Sequence, residues 1–284
     1  MLREAEKHSR EINSFNASPV IVNAEIQLRY VERLEQFWRE MFAPFETDLD
    51  GAVLVYNPDV PIFVVNHLAC VDVNESEVGS LLNRVIEYYS SRDFPYVCFR
   101  ISPITHPKSF AALLVDQGFE KKLDQSVMVF TGKQVDEKLN PDVIIKEISE
   151  SEIDEYIKLF LEIFVVPIEL KDGLQRMFLA RMRRGDKFHL AFVEDNPVGI
   201  YDFSSLNRTG GIFSIGTLKE YRRRGIGTTL TLHAIMKSIN EGNDLHTLQA
   251  DKGGYAERLY EKMGFEIDHT ISYFLKETTT VKKR

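Results

Sequence analysis

The sequence predicts an α+β fold (α/β mixed) of two similar domains, each a mixed, mostly antiparallel sheet flanked by helices. Three observations favour this fold. Short apolar, strand-like runs alternate with amphipathic helical stretches along the chain. Hairpin-type turns occur together with helical crossovers, which is typical of a mixed sheet covered by helices. One local pattern also recurs at a fixed offset, and 284 residues suffice for two domains of ordinary size.

The first half of the chain starts with a polar, irregular stretch and then alternates helices and strands. Apolar residues at helical spacing predict a first helix over Ala24–Ala43, which Pro44 ends. The Asn57-Pro58 turn separates the first two strand-like runs. The predicted strands are Ala52–Tyr56, Ile62–Val71, Pro95–Ser102 and Glu120–Phe130, and the further helices are Val78–Tyr89 and Pro107–Gln117.

A polar segment that contains Gly and Pro, Thr131–Pro141, divides the chain. We interpret it as a linker, because such segments bury little apolar surface. The predicted organisation is a first domain at residues 1–131 with an N-terminal helical extension, a linker at 132–141 and a second domain at 142–284.

The second half repeats the alternation of strands and helices. Ser149 and Ser151 are at the predicted start of a helix that ends near Phe164, and Pro167 separates it from the next helix. The predicted strands are Val143–Ile148, Phe188–Glu194, Val198–Ser205, Gly211–Leu218, Leu245–Ala250 and a final strand ending at Leu275; the later helices are Gly173–Arg183, a stretch ending near Asn240, and Tyr255–Met263.

The two halves share an internal repeat. The segment Leu113–Glu120 resembles Leu259–Glu266 at an offset of 259 − 113 = 146 residues. The same offset moves Gly225 onto Gly79, which also begins a helix after an apolar strand. Agreement in strand, turn, helix and offset predicts two copies of one fold.

The two copies differ at positions that matter for binding an anion. A carboxylate at a helix start repels phosphate, and a leucine side chain blocks close approach to the backbone. The alignment therefore predicts that the first copy has lost an anion site that the second keeps. The differing pairs are Arg222 and Ser76, Arg223 and Glu77, Gly227 and Leu81, and Tyr260 and Leu114.

The turn Tyr221–Thr228 is the strongest candidate site. It joins an apolar strand to a helix, whose start offers unpaired backbone N–H groups and the positive end of the helix dipole. Glycines let an anion approach the backbone closely. The candidate binding residues in this turn are Arg222, Arg223, Arg224, Gly225, Ile226, Gly227 and Thr228.

Composition limits the classes of partner. The net charge of −8 and a pI near 5.5 argue against nucleic-acid or anionic-membrane partners, so the arginine cluster suggests one compact anionic ligand. Cys70 and Cys98 have no metal or redox spacing, and the histidines have no metal-ligand spacing. With no signal peptide and no membrane-spanning apolar run, we expect a cytoplasmic protein without a metal.

Two motifs together resemble a known family. Arg222-x-x-Gly225-x-Gly227 resembles the acetyl-CoA-binding motif of the GNAT (GCN5-related N-acetyltransferase) superfamily. About thirty residues later, Ala256-x-x-Leu-Tyr-Glu-Lys-Met-Gly-Phe265 resembles the family's A-x-x-L-Y-E-K-x-G-F ending. The likeness covers residues 142–276, and residues 50–130 resemble the degenerate first half of tandem GNAT proteins.

The resemblance implies a cofactor, a reaction and roles for residues. Acetyl-CoA would be the co-substrate, with its diphosphate on backbone N–H groups of residues 223–228 and its pantetheine arm between two splayed strands. Backbone groups of Ile215, Gly216 and Thr217 would pair with that arm and polarise the thioester carbonyl. A neutral amine would attack the thioester directly in a ternary complex, and Tyr260 would protonate the departing thiolate.

The sequence departs from the family pattern in one respect that affects the chemistry. Many members have a Glu general base on the key strand, and Ile212–Thr217 contains none. Gly253 also stands where many members have Asn. The candidates for a base, besides direct loss of the proton to solvent, are Asp202, Glu162, Glu169 and Asp251.

The missing glutamate leaves a second function open, namely a non-catalytic acyl-CoA sensor or interaction module. A third interpretation, another nucleotide-phosphate site, ranks low because the turn lacks the Lys-Ser/Thr of a P-loop and the G-x-G-x-x-G of a dinucleotide site. The expected acceptor is a small-molecule amine or a peptide, such as a polyamine, an aminoglycoside or a peptide N-terminus. Homodimer formation is left open.

Overall fold

The computed structural model describes residues 31–38, 46–132 and 139–278. Residues 31–38 are helical, in agreement with the predicted helix over Ala24–Ala43. The remainder of that prediction, the irregular start of the chain and linker residues 133–138 lie outside the described residues. No helix within the described part of the chain is both long and apolar enough to cross a membrane.

The described residues form two compact units. The C-terminal unit is Met128–Ile267, and the N-terminal unit contains residues 31–127 of the described chain together with the residues from Asp268 onward. The domain boundaries at residues 131 and 142, which are inferred from the polar linker, stay a prediction. The compact units divide the chain differently, because the last strand changes unit after Ile267.

The N-terminal unit contains short strands and two helices of its own. Its elements are β1 (Glu46–Asp48), β2 (Val53–Val55), β3 (His67–Ala69), α1 (Val78–Ser90), β4 (Tyr96–Ile101), α2 (Phe110–Asp116) and the first part of β5 (Glu120–Phe130).

The C-terminal unit begins in the last residues of β5. Its elements are β6 (Ile144–Glu147), α3 (Ile153–Phe164), α4 (Lys171–Arg183), β7 (Lys187–Val193), β8 (Asn196–Leu206), β9 (Thr209–Thr217), α5 (Ile226–Asn240), β10 (Leu245–Asp251), α6 (Tyr255–Lys262) and the first residues of β11 (Phe265–Glu277).

The N-terminal unit has a mixed sheet with one parallel pair. Strands β1, β2 and β3 are antiparallel neighbours, and β3 runs parallel to β4 through the pair Leu68 and Phe99. The segment Ser272–Glu277 of β11 pairs antiparallel with β4. Phe274 from this segment packs in the same apolar core as Leu81 of α1, so β11 completes this unit.

The C-terminal unit also has a mixed, mostly antiparallel sheet. Strands β6, β7, β8 and β9 follow one another in antiparallel order, and β9 pairs in parallel with β10. Helix α5 contributes Leu230 and Ile235, both completely buried, to the core. Each such side chain contributes about 1.5–3 kcal/mol on burial. The predicted fold of mixed, mostly antiparallel sheets with flanking helices is confirmed.

The repeat is visible in the order of elements. Adding 146 to the bounds of α2 gives residues 256–262, which lie within α6, and adding it to β5 gives residues 266–276, which lie within β11. Gly118 and Gly264 follow the two equivalent helices with φ of +80° and +89°. Only glycine adopts this backbone conformation without strain, so the two Gly-Phe pairs have the same structural cause.

One strand prediction is wrong in part. The run Ile62–Val71 contains a 3₁₀ turn at Phe63–Val65 before the short strand β3. The cause is Asn66, whose buried amide donates to the carbonyls of Val60 and Ile62 at 2.7 and 3.0 Å. Its oxygen also accepts the backbone N–H of Asn57, and this local network favours a turn over an extended strand.

Candidate functional site

Strands β9 and β10 separate in the middle of the C-terminal sheet. The last recorded pair between them joins Gly211 to Thr247, although β9 continues to Thr217 and β10 to Asp251. The edge of β9 that faces away from β8 therefore has no strand partner after Gly211 in the described pairings. Unpaired backbone groups at such a gap can bind an extended ligand as an additional strand would.

A β-bulge lies on β9 where it has left β10. Ile200 pairs with Gly216 and Asp202 with Phe213, so one residue of β8 faces two residues of β9. One of those two, Ser214, has φ of +52°, an uncommon conformation for a residue other than glycine. Bulges of this kind redirect backbone groups and often accompany functional sites.

The arginine- and glycine-rich turn leads from this strand into α5. A 3₁₀ turn at Lys219–Tyr221 precedes it, and Arg223 and Gly225 have φ of +62° and +74°. No side chain caps the helix start. Among the residues that the structure describes, no acceptor is recorded for the backbone N–H groups of residues 223–228. The turn thus presents several free donors at the positive end of a helix of 15 residues.

Gly227 keeps the approach to these donors open. A Cβ atom placed on it meets no atom within 4 Å. The position is helical, so the glycine is not required by backbone conformation, and alanine would favour the helix by about 1 kcal/mol. The space in front of Gly227 is therefore the feature that glycine preserves.

Tyr260 lies on α6, the helix that follows β10. Its side chain is 6% exposed and shares a core with Leu248 and Ala250 of that strand. Burial raises the pKa of Tyr260 above its ordinary value, which keeps the phenol protonated at neutral pH. Within the described residues no hydrogen bond of its hydroxyl group is recorded, so this O–H is available as a donor.

Comparison with known proteins agrees with this geometry. Residues 148–265 match the model of the family described as "Acetyltransferase (GNAT) family". This segment belongs to the GNAT family. The matched GNAT segment includes the bulge on β9, the turn before α5 and Tyr260. The resemblance stated from the two sequence motifs is thereby confirmed.

Similar proteins support the same assignment. An N-alpha-acetyltransferase of Saccharolobus solfataricus is 38% identical over an alignment of 99 residues, and the alignment covers 29% of this chain. The match spans 58% of the length of that relative. A GCN5-related N-acetyltransferase from Kribbella flavida has a similar fold, with a TM-score of 0.69, 14% identity and coverage of 87% of this chain and 95% of the other.

A tandem GNAT protein from the clavulanic acid biosynthesis pathway has the same fold along almost the whole chain. Its TM-score is 0.62 at 13% identity, with 97% of this chain and 95% of that chain covered. Both halves of the present chain therefore take part in the likeness, as the internal repeat predicts.

The turn before α5, residues 221–228, contains three arginines with different contacts. Arg222 donates from Nε to the carbonyl oxygen of Thr217 at 3.1 Å and so joins the turn to the end of β9. The guanidinium of Arg224 lies 5.1 Å from the centre of the Tyr221 ring. Arg223 is exposed. The family resemblance implies that backbone groups of Thr217 pair with the pantetheine arm. In this structure the Thr217 carbonyl accepts the hydrogen bond from Arg222.

The equivalent helix of the N-terminal unit follows a 3₁₀ turn that has a capping box. A 3₁₀ turn at Glu75–Glu77 leads into α1. The Glu77 carboxylate accepts the backbone N–H and the side-chain amide of Asn74, both at 2.9 Å, and completes a capping box. A carboxylate thus stands where the turn before α5 has Arg223, and the loss of the anion site in the first copy stays a prediction.

Asp202 is a structural carboxylate in the GNAT segment. It is completely buried, and it accepts hydrogen bonds from the Tyr156 hydroxyl at 2.9 Å and from Arg181 Nη2 at 2.6 Å. Burial, followed by the Asp202 charge, raises the pKa of Tyr156 well above its ordinary value. Because Asp202 is enclosed and ion-paired, it is not placed to take a proton from an amine.

The other suggested bases lie on the surface. Glu162, Glu169 and Asp251 are exposed, and none of them lies on β9. Water can reach all three side chains.

The buried network of Tyr156, Arg181 and Asp202 is the part of the site that the sequence does not reveal. Its members come from α3, α4 and β8, and Tyr156 and Asp202 are 46 positions apart in the sequence. A tyrosine on an apolar helix face is more often plain core, and Arg181 resembles the solvated arginines that follow it. No local signal links them.

Proposed function

We propose that the chain is an acetyl-CoA-dependent N-acetyltransferase that transfers an acetyl group to a primary amine. One observation carries the proposal: the uncapped start of α5 directly follows a bulged strand that has separated from its neighbour. The first feature suits a diphosphate, and the second suits the extended arm to which that diphosphate is attached in CoA.

The diphosphate would bind at the turn before α5. Its oxygens would accept hydrogen bonds from the backbone N–H groups of residues 223–228, for which no acceptor is recorded within the described chain. Gly227 leaves room for the phosphate to approach, and the exposed Arg223 adds positive charge. Charge-assisted hydrogen bonds to phosphate are about twice as strong as neutral ones.

The pantetheine arm would lie along the free edge of β9. The bulge at Ser214 would turn the following backbone groups, near Ile215 and Gly216, toward the gap between the strands. An N–H group there can donate to the thioester carbonyl and stabilise the negative charge that develops on its oxygen.

Acetyl transfer would proceed by direct attack of the amine. The nitrogen lone pair forms a bond to the carbonyl carbon, the carbon–sulfur bond then breaks, and the ammonium proton leaves to water. Tyr260 donates its proton to the departing thiolate and regains one from solvent. The raised pKa of Tyr260 keeps the phenol protonated until the thiolate leaves.

The acceptor class follows from chemistry and from one relative. Nucleophilic attack needs an uncharged amine, and the acid-leaning chain fits an acceptor that is cationic in solution. The relative from Saccharolobus is named an N-alpha-acetyltransferase, which supports the amino group of a peptide or small molecule as acceptor.

A screen of amines for CoA release tests the proposal. Wild type and Tyr260→Phe are assayed with acetyl-CoA and a panel of polyamines, aminoglycosides and short peptides. We expect turnover with at least one amine and a loss of kcat of about 10²-fold or more in the variant, in the range of general-acid effects. Binding of acetyl-CoA without turnover of any amine would favour the sensor function instead.

A further inference from the structure

We propose that Asn140 is a positioning residue for the diphosphate of acetyl-CoA. It lies in the segment that the sequence marks as a linker, yet it holds the turn before α5 by hydrogen bonds. The proposal rests on the function proposed above for that turn.

Asn140 uses its backbone and both ends of its side chain. Its amide nitrogen Nδ2 donates to the carbonyl oxygen of Arg224 at 2.7 Å. Its backbone N–H donates to Thr229 Oγ1 at 2.9 Å. Its amide oxygen accepts the N–H of Asp142 at 2.9 Å, which fixes the orientation of the amide group so that the nitrogen faces the turn.

The contact with Arg224 determines where the next N–H group points. In a trans peptide the C=O and the following N–H point in opposite directions. When Asn140 holds the Arg224 carbonyl on its own side, the N–H of Gly225 must point to the other side. No acceptor for that N–H is recorded among the described residues, so it is directed at the position proposed for the phosphate.

Thr229 extends the same arrangement by one peptide. It is 5% exposed, and its Oγ1, which receives the Asn140 N–H, donates to the carbonyl of Gly225 at 3.0 Å. That carbonyl also accepts the N–H of Thr229 at 2.9 Å. Two consecutive carbonyls are thus fixed, and two consecutive N–H groups, those of Gly225 and Ile226, point away from them. Such pairs of N–H groups form anion-binding concavities.

Asn140 is also close to Gly225. A Cβ atom placed on Gly225 would lie 3.7 Å from Cβ of Asn140. The φ of +74° at Gly225 is one that glycine adopts readily, and Asn140 lies beside this residue. A bound diphosphate would then meet donors that are already oriented.

Calorimetry with acetyl-CoA tests the role of Asn140. We expect Asn140→Ala to bind acetyl-CoA about tenfold more weakly than wild type, because one charge-assisted hydrogen bond loses its orientation. Thr229→Val, which keeps the shape but removes the hydroxyl, should act in the same direction. Asn196→Ala is the matched control, since its amide also donates to a backbone carbonyl, that of Glu194 at 3.0 Å, in the turn between β7 and β8.

A second readout separates positioning from a merely structural role. Inorganic pyrophosphate is added to ¹⁵N-labelled protein, and the amide resonance of Gly225 is followed. We expect a large shift in wild type and a much smaller one in Asn140→Ala, with thermal midpoints within a few degrees of each other. Wild-type affinity for acetyl-CoA in Asn140→Ala, or equal losses in Asn140→Ala and Asn196→Ala, would overturn the proposal alone. A wild type that binds neither acetyl-CoA nor pyrophosphate would contradict the proposed function as well.

Discussion

Asp202 is an ion-paired carboxylate that is completely buried and out of contact with water. Its two partners, Arg181 and Tyr156, supply the hydrogen bonds that water would otherwise provide. Arg181 also donates to Asp186 at 2.7 Å, so the guanidinium lies between two carboxylates. Removing one member of such a set leaves the others buried without their partners, which costs more than the intact pair contributes.

We therefore predict a large loss of stability in Asp202→Ala. The free energy of unfolding should fall by about 3–5 kcal/mol, because Arg181 and the Tyr156 hydroxyl lose their shared acceptor. Denaturant titration measures this change. Asp244→Ala is the control. The ion pair of Asp244 with Arg208 measures 3.0 Å and is exposed, so the expected loss is below about 1 kcal/mol. Equal losses in the two variants would contradict the assigned role of Asp202.

At the scale of elements, the two repeat copies differ at the start of one helix. Neither α5 nor α1 has a side-chain cap of its own, but a 3₁₀ turn with a capping box of Asn74 and Glu77 precedes α1. The carboxylate of Glu77 would repel an anion there, whereas the turn before α5 leaves its N–H donors to a ligand. A bound anion should therefore stabilise the C-terminal unit.

The Gly-Phe turns after α2 and α6 are equivalent elements and should respond alike to substitution. We predict that Gly118→Ala and Gly264→Ala each lower the free energy of unfolding by about 1–2 kcal/mol, since both glycines have positive φ. Denaturant titration of the two variants checks this. Gly79→Ala is the control, because Gly79 is helical and an added Cβ meets no atom within 4 Å. There we expect no loss, or a gain of about 1 kcal/mol; a loss at Gly79 as large as at Gly264 would refute the conformational explanation.

At the scale of the whole molecule, most of the fold could be predicted from local patterns. The strands and helices follow apolar periodicity, and the repeat offset of 146 residues holds for helices, strands and the two glycine turns. The change of unit within β11 could not be predicted, because a strand with one continuous pattern gives no sign of which sheet it joins. The Asn66 turn was missed because a single polar side chain overrode an apolar run.

The candidate site, like the fold, could be predicted from the sequence only in part. The motif turn and Tyr260 could be named, since their spacing along the chain is short and regular. The buried network around Asp202 and the contacts of Asn140 depend on residues that are distant in sequence, such as Asn140 and Arg224, which are 84 positions apart. Their individual sequence contexts, an apolar helix and a polar linker, suggest other roles.

Buried histidines make the stability of the whole chain sensitive to acid. Burial lowers the pKa of His67 to about 3, that of His189 to about 2 and that of His246 to about 4. Each of these imidazoles is neutral in the folded state above its lowered pKa. In the unfolded chain the same imidazoles take up protons once the pH falls below their ordinary pKa of 6.5. Their contribution to stability is present above pH 6.5 and is lost as the pH falls toward each folded pKa.

We predict that the free energy of unfolding decreases between pH 6.5 and 4 by about 1.4 kcal/mol per pH unit for each of these histidines. Denaturant titrations at several pH values measure the slope. His246→Gln removes one titrating group and should give a shallower slope than wild type. A free energy that stays constant over this range would contradict the assignment of neutral, buried histidines.

The central claim is that the turn at residues 221–228 binds acetyl-CoA and that its counterpart in the N-terminal unit does not. Calorimetry of acetyl-CoA binding to wild type, Gly227→Trp and Gly79→Trp tests it most directly. Both glycines have open space at the Cβ position, so both indoles should be tolerated by the fold. We predict one site per chain in wild type and in Gly79→Trp, and no binding in Gly227→Trp, where the indole fills the phosphate position. Absence of binding by wild type, or undiminished binding by Gly227→Trp, would contradict the account.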